Sequence, residues 1–397
     1  MSGVSRGILG LYCGWFHERQ NKRIFAMKVF EFLRNFQSKI FEFPSFGLDI
    51  SDTSFRFVKA ESFSDTPSIE YLGEGSIPKG IIELGEIKNE NELSKIIKTA
   101  LAQSKRIQKD RFVVASLPEE KAFLKLVQIP ITEGRKETEN AVLFEAESSF
   151  PISAHEMYFD YEDISPKAGE LDHKDVLIVA FPRAVVDSYV RVFHGAGLEI
   201  VALELESQGI VRALIDVEKE GGPYLVMDIG RTKSGFAIFS KGTILFTSTV
   251  PIGGRDFEAA IQEAMRVSPK EAENIKKEVG FSNFMLSGNE KNGNVYKALA
   301  PFVSIIIDET EKSIDFFETH ARHTHDEWMP IEKVILCGGD SYLIGLSEEI
   351  GKATGKAVEY GDPLRFFKKD GRNDRASRNT ITKSYTTALG LCLRAIR

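Results

Sequence analysis

"FGLDISDTSFRF" at residues 46–57 and "MDIGRTKSGFAIF" at residues 227–239 are two versions of one phrase. Aligned on Asp49 and Asp228, they share D-I-x-x-T and an aromatic residue eight positions after the aspartate, Phe57 and Phe236. Each copy reads as a strand, a tight turn of small residues and a returning strand. Such a turn lets backbone N–H groups and a Ser or Thr hydroxyl come close to phosphate oxygens, which bulky side chains would prevent. The aspartate cannot rest on the phosphate itself, so it is suited to hold a hydrated Mg²⁺ beside it. One copy is an ordinary hairpin turn. Two copies facing across a gap would clamp a triphosphate from both sides, and the pair predicts a duplicated α/β architecture.

The chain outside the two phrases fits two halves. After the first come a strand at "SIEYLGEGSIP", a helix at "NENELSKIIKTALAQSK" with Leu93, Ile96, Ile97 and Leu101 on one side, and a buried strand at "RFVVASLP". Residues 118–203 then differ in texture and read as an inserted αβ subdomain. The expected layout is an N-terminal extension at 1–45 and a first lobe at 46–117. The insertion follows, then an interdomain connection helix at 204–221, a second lobe at 222–380 and a returning C-terminal helix at 381–397. The second lobe's helical part is expected at about 265–325, with "SGNEKNGN" as a solvated loop and a long amphipathic helix over "PFVSIIIDETEKSIDFFETHA". Near the end, "VILCGGDSYLIGL" places a buried strand before Gly338 and Gly339, where a flat ring or a phosphate can approach the backbone. Neither G-x-G-x-x-G nor G-x-x-x-x-G-K-[ST] occurs, which argues against Rossmann and P-loop readings.

Composition narrows the partners. A formal charge of −7 argues against nucleic acid, which needs a basic face. The three cysteines, Cys13, Cys337 and Cys392, are too scattered for a disulfide framework or zinc knuckle. His320, His323 and His325 read as a solvated helix end, and the charged stretch "KKDGRNDRASRNTITK" as a surface loop. Residues 27–43, "MKVFEFLRNFQSKIFEF", form a basic, aromatic helical pattern. It reads either as a peripheral membrane contact or as a helix docked on its own domain, and translation starts at Met1 or Met27.

Taken as an ordered set, the two D-I-x-x-T loops, "VPIGG" at 250–254, "AENIK" at 272–276 and "LCGGDSYLIGL" resemble the actin-like ATPase fold. Within it they look like the PilM branch of type IV pilus assembly proteins, neighbours of the cell-division protein FtsA. The resemblance covers residues 46–397. It implies ATP and Mg²⁺ as cofactors, with Asp49 and Asp228 at the metal. Ser51, Thr53 and Ser54 would form the first phosphate loop, and Gly230, Thr232 and Lys233 the second. Gly253 and Gly254 would form a turn beside it, Glu273 and Lys276 would reach the ribose and base, and Gly338 with Gly339 would form the adenine turn. Glu206, or less directly Glu204, would orient the attacking water. Three departures stand out: Ser51 where glycine is frequent, Asp52 in a phosphate-facing turn, and Asp340 after the glycine pair. The resemblance further implies a cytoplasmic protein on the inner face of the membrane, binding the cytoplasmic tail of a PilN-like bitopic protein. The rival readings are an FtsA-like division protein, a small-molecule kinase on the same fold, and a scaffold without turnover.

Overall fold

The computed structural model describes residues 45–61, 66–103, 107, 110–132, 134–165, 172–281, 290–320, 329–368 and 384–396. The expectations for residues 27–43, for the histidines after the long helix and for most of the charged stretch near the C-terminus lie outside them.

The duplication is visible as two sheets of one design. In the first, β1 (Ser45–Ile50) is central. It pairs antiparallel with β2 (Ser54–Glu61), which pairs antiparallel with β3 (Ser68–Ser76). On its other side it pairs parallel with β6 (Phe112–Leu117), which pairs parallel with β10 (Glu199–Leu205). In the second, β11 (Tyr224–Ile229) repeats the part of β1. Antiparallel β12 (Ser234–Ser240) and β13 (Thr243–Val250) lie on one side, parallel β14 (Lys333–Cys337) and β15 (Ala357–Tyr360) on the other. The strand orders, β10-β6-β1-β2-β3 and β13-β12-β11-β14-β15, match position for position with the direction of listing reversed.

Alternation along β1 explains how its two faces are used. Phe46, Leu48 and Ile50 point into a core shared with α1 (Glu90–Gln103) and α3 (Arg183–Ala196), through residues such as Leu93, Ile97, Tyr189 and Phe193. Gly47 points the other way, against α9 (Thr386–Ile396). A Cβ there would lie 2.4 Å from the Ala388 carbonyl oxygen and the Cys392 nitrogen. The corresponding face of the second sheet is covered by α4 (Glu206–Leu214), whose Ile210, Val211 and Leu214 pack on Tyr224, Val226 and Phe239.

The two covering helices meet at a pair of glycines. A Cβ on Gly390 would lie 1.7 Å from the carbonyl oxygen of Gly209. The crossing is pinned by a buried carboxylate: Arg212 grips Glu204 with two nitrogens at 2.8 and 3.0 Å, and Arg394 of α9 bonds the same group.

A separate three-stranded sheet, β7-β9-β8, is formed by β7 (Phe123–Pro130), β8 (Met157–Asp163) and β9 (His173–Pro182). It carries α2 (Arg135–Ser149) through Val142 and Ala146. Two parts of the stretch assigned from sequence to the insertion belong elsewhere. α3 packs into the first lobe's core, and β10 is that lobe's edge strand. No change of composition marks the return: β10 pairs with β6, and α3 packs on α1 while also touching β9. The short hairpin of β4 (Ile82–Glu83) and β5 (Glu86–Ile87) is also absent from the sequence reading.

The second lobe is completed by α5 (Gly254–Met265), α6 (Pro269–Glu278), α7 (Glu290–His320) and α8 (Leu346–Thr354). α7 starts at Glu290, so the end of "SGNEKNGN" is helical rather than a loop. Val295 and Leu299, both fully buried, extend the apolar stripe of Val303 and Ile306 upstream and outweigh the polar residues and the internal Pro301.

Candidate functional site

Asp49 and Asp228 occupy the same place in the two designs, one residue before the end of the central strand. Asp49 accepts a hydrogen bond from the Ser116 hydroxyl at 2.9 Å and lies opposite Arg56 in the β1–β2 register. Asp228 lies against Gly338, whose φ of 94° belongs to the left-handed region. A Cβ on Gly338 would be 2.2 Å from the Asp228 carboxylate, so this approach requires glycine. The two aspartates are near enough for the charge of one to act on the other. Burial pushes the Asp228 carboxyl up to about 6, and the charge of Asp49 adds to it, against the opposing Lys233 and Arg56. Burial raises Asp49 as well, with Arg56, Ser116 and Lys233 opposing.

Around them the glycine turns of the second lobe are bonded to one another. Gly230 N donates to Lys233 O at 2.9 Å, Gly254 N to Gly230 O at 3.0 Å, Arg255 N to Arg231 O at 2.8 Å and Asp340 N to Ile229 O at 2.9 Å. Thus Gly230, Thr232, Gly253, Gly254, Gly338 and Gly339 belong to one interlocked set of loops. On the first lobe, Ser51 N and its hydroxyl both donate to Ser54 O, at 2.8 and 2.9 Å, and Thr53 O accepts from Ile77 N.

Both carboxylates that looked out of place have partners. Asp52 turns out of its loop and accepts from Leu84 N and Gly85 N, each at 3.0 Å. Asp340 accepts from Lys276 Nζ at 2.5 Å, and Lys276 also bonds Glu258 at 2.7 Å. Glu258 in turn holds Arg231. Lys276 therefore lies buried beside the Gly254 turn, whereas Glu273 faces outward, paired with Lys277 at 2.5 Å on α6.

Glu206 opens α4 and is buried; Glu204 has its carboxylate committed to Arg212 and Arg394, which leaves Glu206 as the group available to the gap. Lys233 Nζ bonds Glu206 at 3.0 Å and also bonds Glu120. Glu120 lies in the short turn Glu119–Lys121 that follows β6, and its neighbour Glu119 accepts from Ser207 N and hydroxyl at 3.0 and 2.9 Å. Burial raises Glu206 well above the carboxylate range, reinforced by Glu120, Asp49 and Glu119 and resisted by Lys233. Burial works against the Lys233 ammonium, but Glu206 and Glu120 outweigh it and hold it charged.

Asp49, Glu119, Glu120, Glu206 and Asp228 all feel this one ammonium. These carboxyls crowd Lys233, with Arg56 the other cation acting on the two aspartates, and burial pushes Asp49, Asp228 and Glu206 toward their neutral forms; a divalent cation would favour their ionised forms. A cavity of about 20 Å³ lies between Glu206, Asp228 and Lys233, room for one water. Among the described residues no group of three or more metal-ligating side chains occurs. A carboxylate pair is the set expected for Mg²⁺, which keeps most of its waters and takes further oxygens from phosphate. Ser116, Arg56, Glu119, Glu120 and Glu258 escaped the sequence reading. The acidic pair directly after the buried strand, "LPEE", was the available signal for two of them.

A family profile described as "Type IV pilus assembly protein PilM" matches residues 47–396. Among curated proteins, the chain is 23% identical over 272 residues to the cell division protein FtsA of Bacillus subtilis (strain 168); the match spans 60% of this chain and 58% of that protein's length. Among solved structures, one described as a PilM-PilN type IV pilus biogenesis complex superposes with a TM-score of 0.74 at 24% identity, covering 90% of this chain and 99% of that one. The ethanolamine utilization protein EutJ from Carboxydothermus hydrogenoformans superposes with a TM-score of 0.51 at 17% identity, covering 94% and 99%. These neighbours share the actin-like fold.

Proposed function

This chain belongs to the type IV pilus assembly protein PilM family, and from that premise we propose that it is a nucleotide-responsive assembly factor binding MgATP between its lobes. One observation supports the reading: two sheets of one design each place an aspartate near the end of their central strand, and the charge of Asp49 raises the carboxyl of Asp228. Bound there, Mg²⁺ would supply charge neutralisation for the triphosphate. The chain's own residues divide the remaining work. Asp49 and Asp228 would orient the ion through its waters. The backbone of the 51–54 and 230–233 turns would present N–H groups to phosphate, and the Gly338–Asp340 region would face the base. Glu206 would accept a hydrogen bond from a water and aim it in line, work that depends on orientation more than on basicity. Asp340 and Asp52 do not argue against this, since each is held by a partner of its own.

The output we propose is docking of the cytoplasmic tail of a PilN-like membrane protein, with lobe closure biasing the affinity. The family and the PilN-containing neighbour support this partner, and they favour it over the division-protein and kinase readings. No helix among the described residues is long and apolar enough to cross a membrane. A place on the inner face of the membrane would therefore rest on that partner or on residues outside the described set.

The test is a titration of purified protein with a fluorescent ATP analogue. Because a triphosphate would enter beside two carboxyls, binding is expected to need Mg²⁺ and to fall at least about tenfold when EDTA is added. Equal binding in EDTA would remove the metal pair from the reading. A synthetic PilN-type tail should then bind with an affinity that changes on MgATP addition; identical affinities would disconnect the two sites.

A further inference from the structure

Glu120 stands outside every motif in the sequence, yet it contacts the lysine on which the site's charge balance turns. Lys233 belongs to the second lobe's turn before β12. Its ammonium is shared by Glu206 at the head of α4 and by Glu120 from the turn that directly follows the first lobe's β6. All three side chains are largely withdrawn from solvent, with 20%, 11% and 16% of their surface exposed. The bridge therefore joins the turn after β6, the head of α4 and the second phosphate loop.

Both ends of the Glu120 turn are anchored. Glu119 is fixed to the first turn of α4 through Ser207. On its other side Glu120 lies over Gly85, where an added Cβ would be 2.8 Å from its Oε1. Gly85 N is one of the two donors that hold Asp52 of the first phosphate loop. Glu120 thus touches the support of the first loop while gripping a residue of the second.

We propose that Glu120 is a positioning residue that parks Lys233 on Glu206 in the nucleotide-free protein and yields it to the terminal phosphate of a bound triphosphate. The inference rests on the nucleotide-binding reading above. A terminal phosphate carries more charge than either carboxylate and outcompetes them for a lysine on a flexible stem. Transfer of Lys233 releases a Glu206 carboxyl oxygen, which can then accept from water. It also removes the cross-lobe bridge, so triphosphate occupancy is reported to both loops at once.

Two measurements test this. In Glu120→Gln, Lys233 loses a competing partner. MgATP affinity is expected to rise about fivefold and MgADP affinity less than twofold, because only the triphosphate reaches the lysine. Equal gains would show a general loss of negative charge and overturn the proposal. The second is a double-mutant cycle of Glu120→Gln and Lys233→Met read by denaturant unfolding. The pair should be coupled by about fivefold or more in the unfolding constant without nucleotide and uncoupled with saturating MgATP. Coupling that persists under MgATP marks a static bridge, and no coupling without it marks no bridge; either result overturns the proposal. A wild-type unfolding midpoint that MgATP does not move would instead overturn the nucleotide reading itself, a pattern distinct from both. Should Lys233→Met fail to fold, the affinity comparison on Glu120→Gln decides alone.

Discussion

Asp228→Asn is expected to abolish Mg²⁺-dependent nucleotide binding and, at neutral pH, to make the ligand-free protein more stable. The carboxyl is raised from 3.8 to about 6 in the fold, by burial first and by Asp49 second. A group whose folded pKa lies above its unfolded value contributes stability that is fully present below the unfolded pKa. That stability is lost as pH rises through the folded pKa. The wild-type chain should therefore weaken between about pH 4 and pH 6, by on the order of 2–3 kcal/mol from this site. The amide carries no charge to desolvate, so the variant should show a flatter profile and match wild type only near pH 4. Denaturant unfolding at pH 4 and pH 7.5, beside an MgATP titration, checks both halves. A variant that is less stable at pH 7.5, or that still binds MgATP as wild type does, would contradict the assignment of Asp228 as a strained metal ligand.

Gly390→Ala is expected to destabilise by on the order of 3 kcal/mol, and Gly390→Val by more. In a helix interior the first change ordinarily gains about 1 kcal/mol, because glycine costs more backbone entropy than alanine. Here the added Cβ would lie 1.7 Å from the Gly209 carbonyl oxygen and 2.4 Å from its carbon. These are backbone atoms of a neighbouring helix, so no side-chain rotation removes the clash. α4 and α9 must separate, and with them the two sheets that they cover. Gly351→Ala in α8 provides the control, since its nearest neighbours would lie at 3.5 Å, ordinary contact. It should be neutral or mildly stabilising. Urea midpoints of the three proteins settle the matter: a Gly390→Ala chain as stable as wild type would show that the helices do not cross at these residues.

The duplication was readable because the chemistry of a phosphate-facing hairpin is local. Asp49 with its turn, and Asp228 with its turn, each fit within a dozen residues. So do the glycines of the 253–254 and 338–339 turns. What escaped is non-local. Ser116, Glu119 and Glu120 reach the site from the end of β6, and Glu258 reaches the Lys276–Asp340 pair from α5. No spacing in the sequence announces those meetings. The choice between Glu204 and Glu206 was also open, because both stand at a strand-to-helix junction. What separates them is Arg394, which arrives from the far end of the chain to bond Glu204. The boundary expected at residue 203 has the same origin: β10 looks like more of the insertion until its pairing with β6 is seen, and α3 until its packing on α1 is.

The covering of β1 by α9 has a consequence for how the protein is made. Ser45 at the start of β1 and Ala395 in α9 are hydrogen-bonded across 350 positions of chain. At ribosomal rates of roughly 5–20 residues per second, β1 emerges on the order of 20–70 seconds before the helix that seals its Gly47 face. During that interval the first lobe can order its inner core but leaves Val58 and Ala60 only partly covered on the outer side, since Phe367, Tyr385 and the apolar residues of α9 that complete their cluster come late in the chain. A nascent or prematurely terminated chain would thus display an unsealed strand surface to chaperones and proteases, and only a polypeptide translated past α9 could hide it.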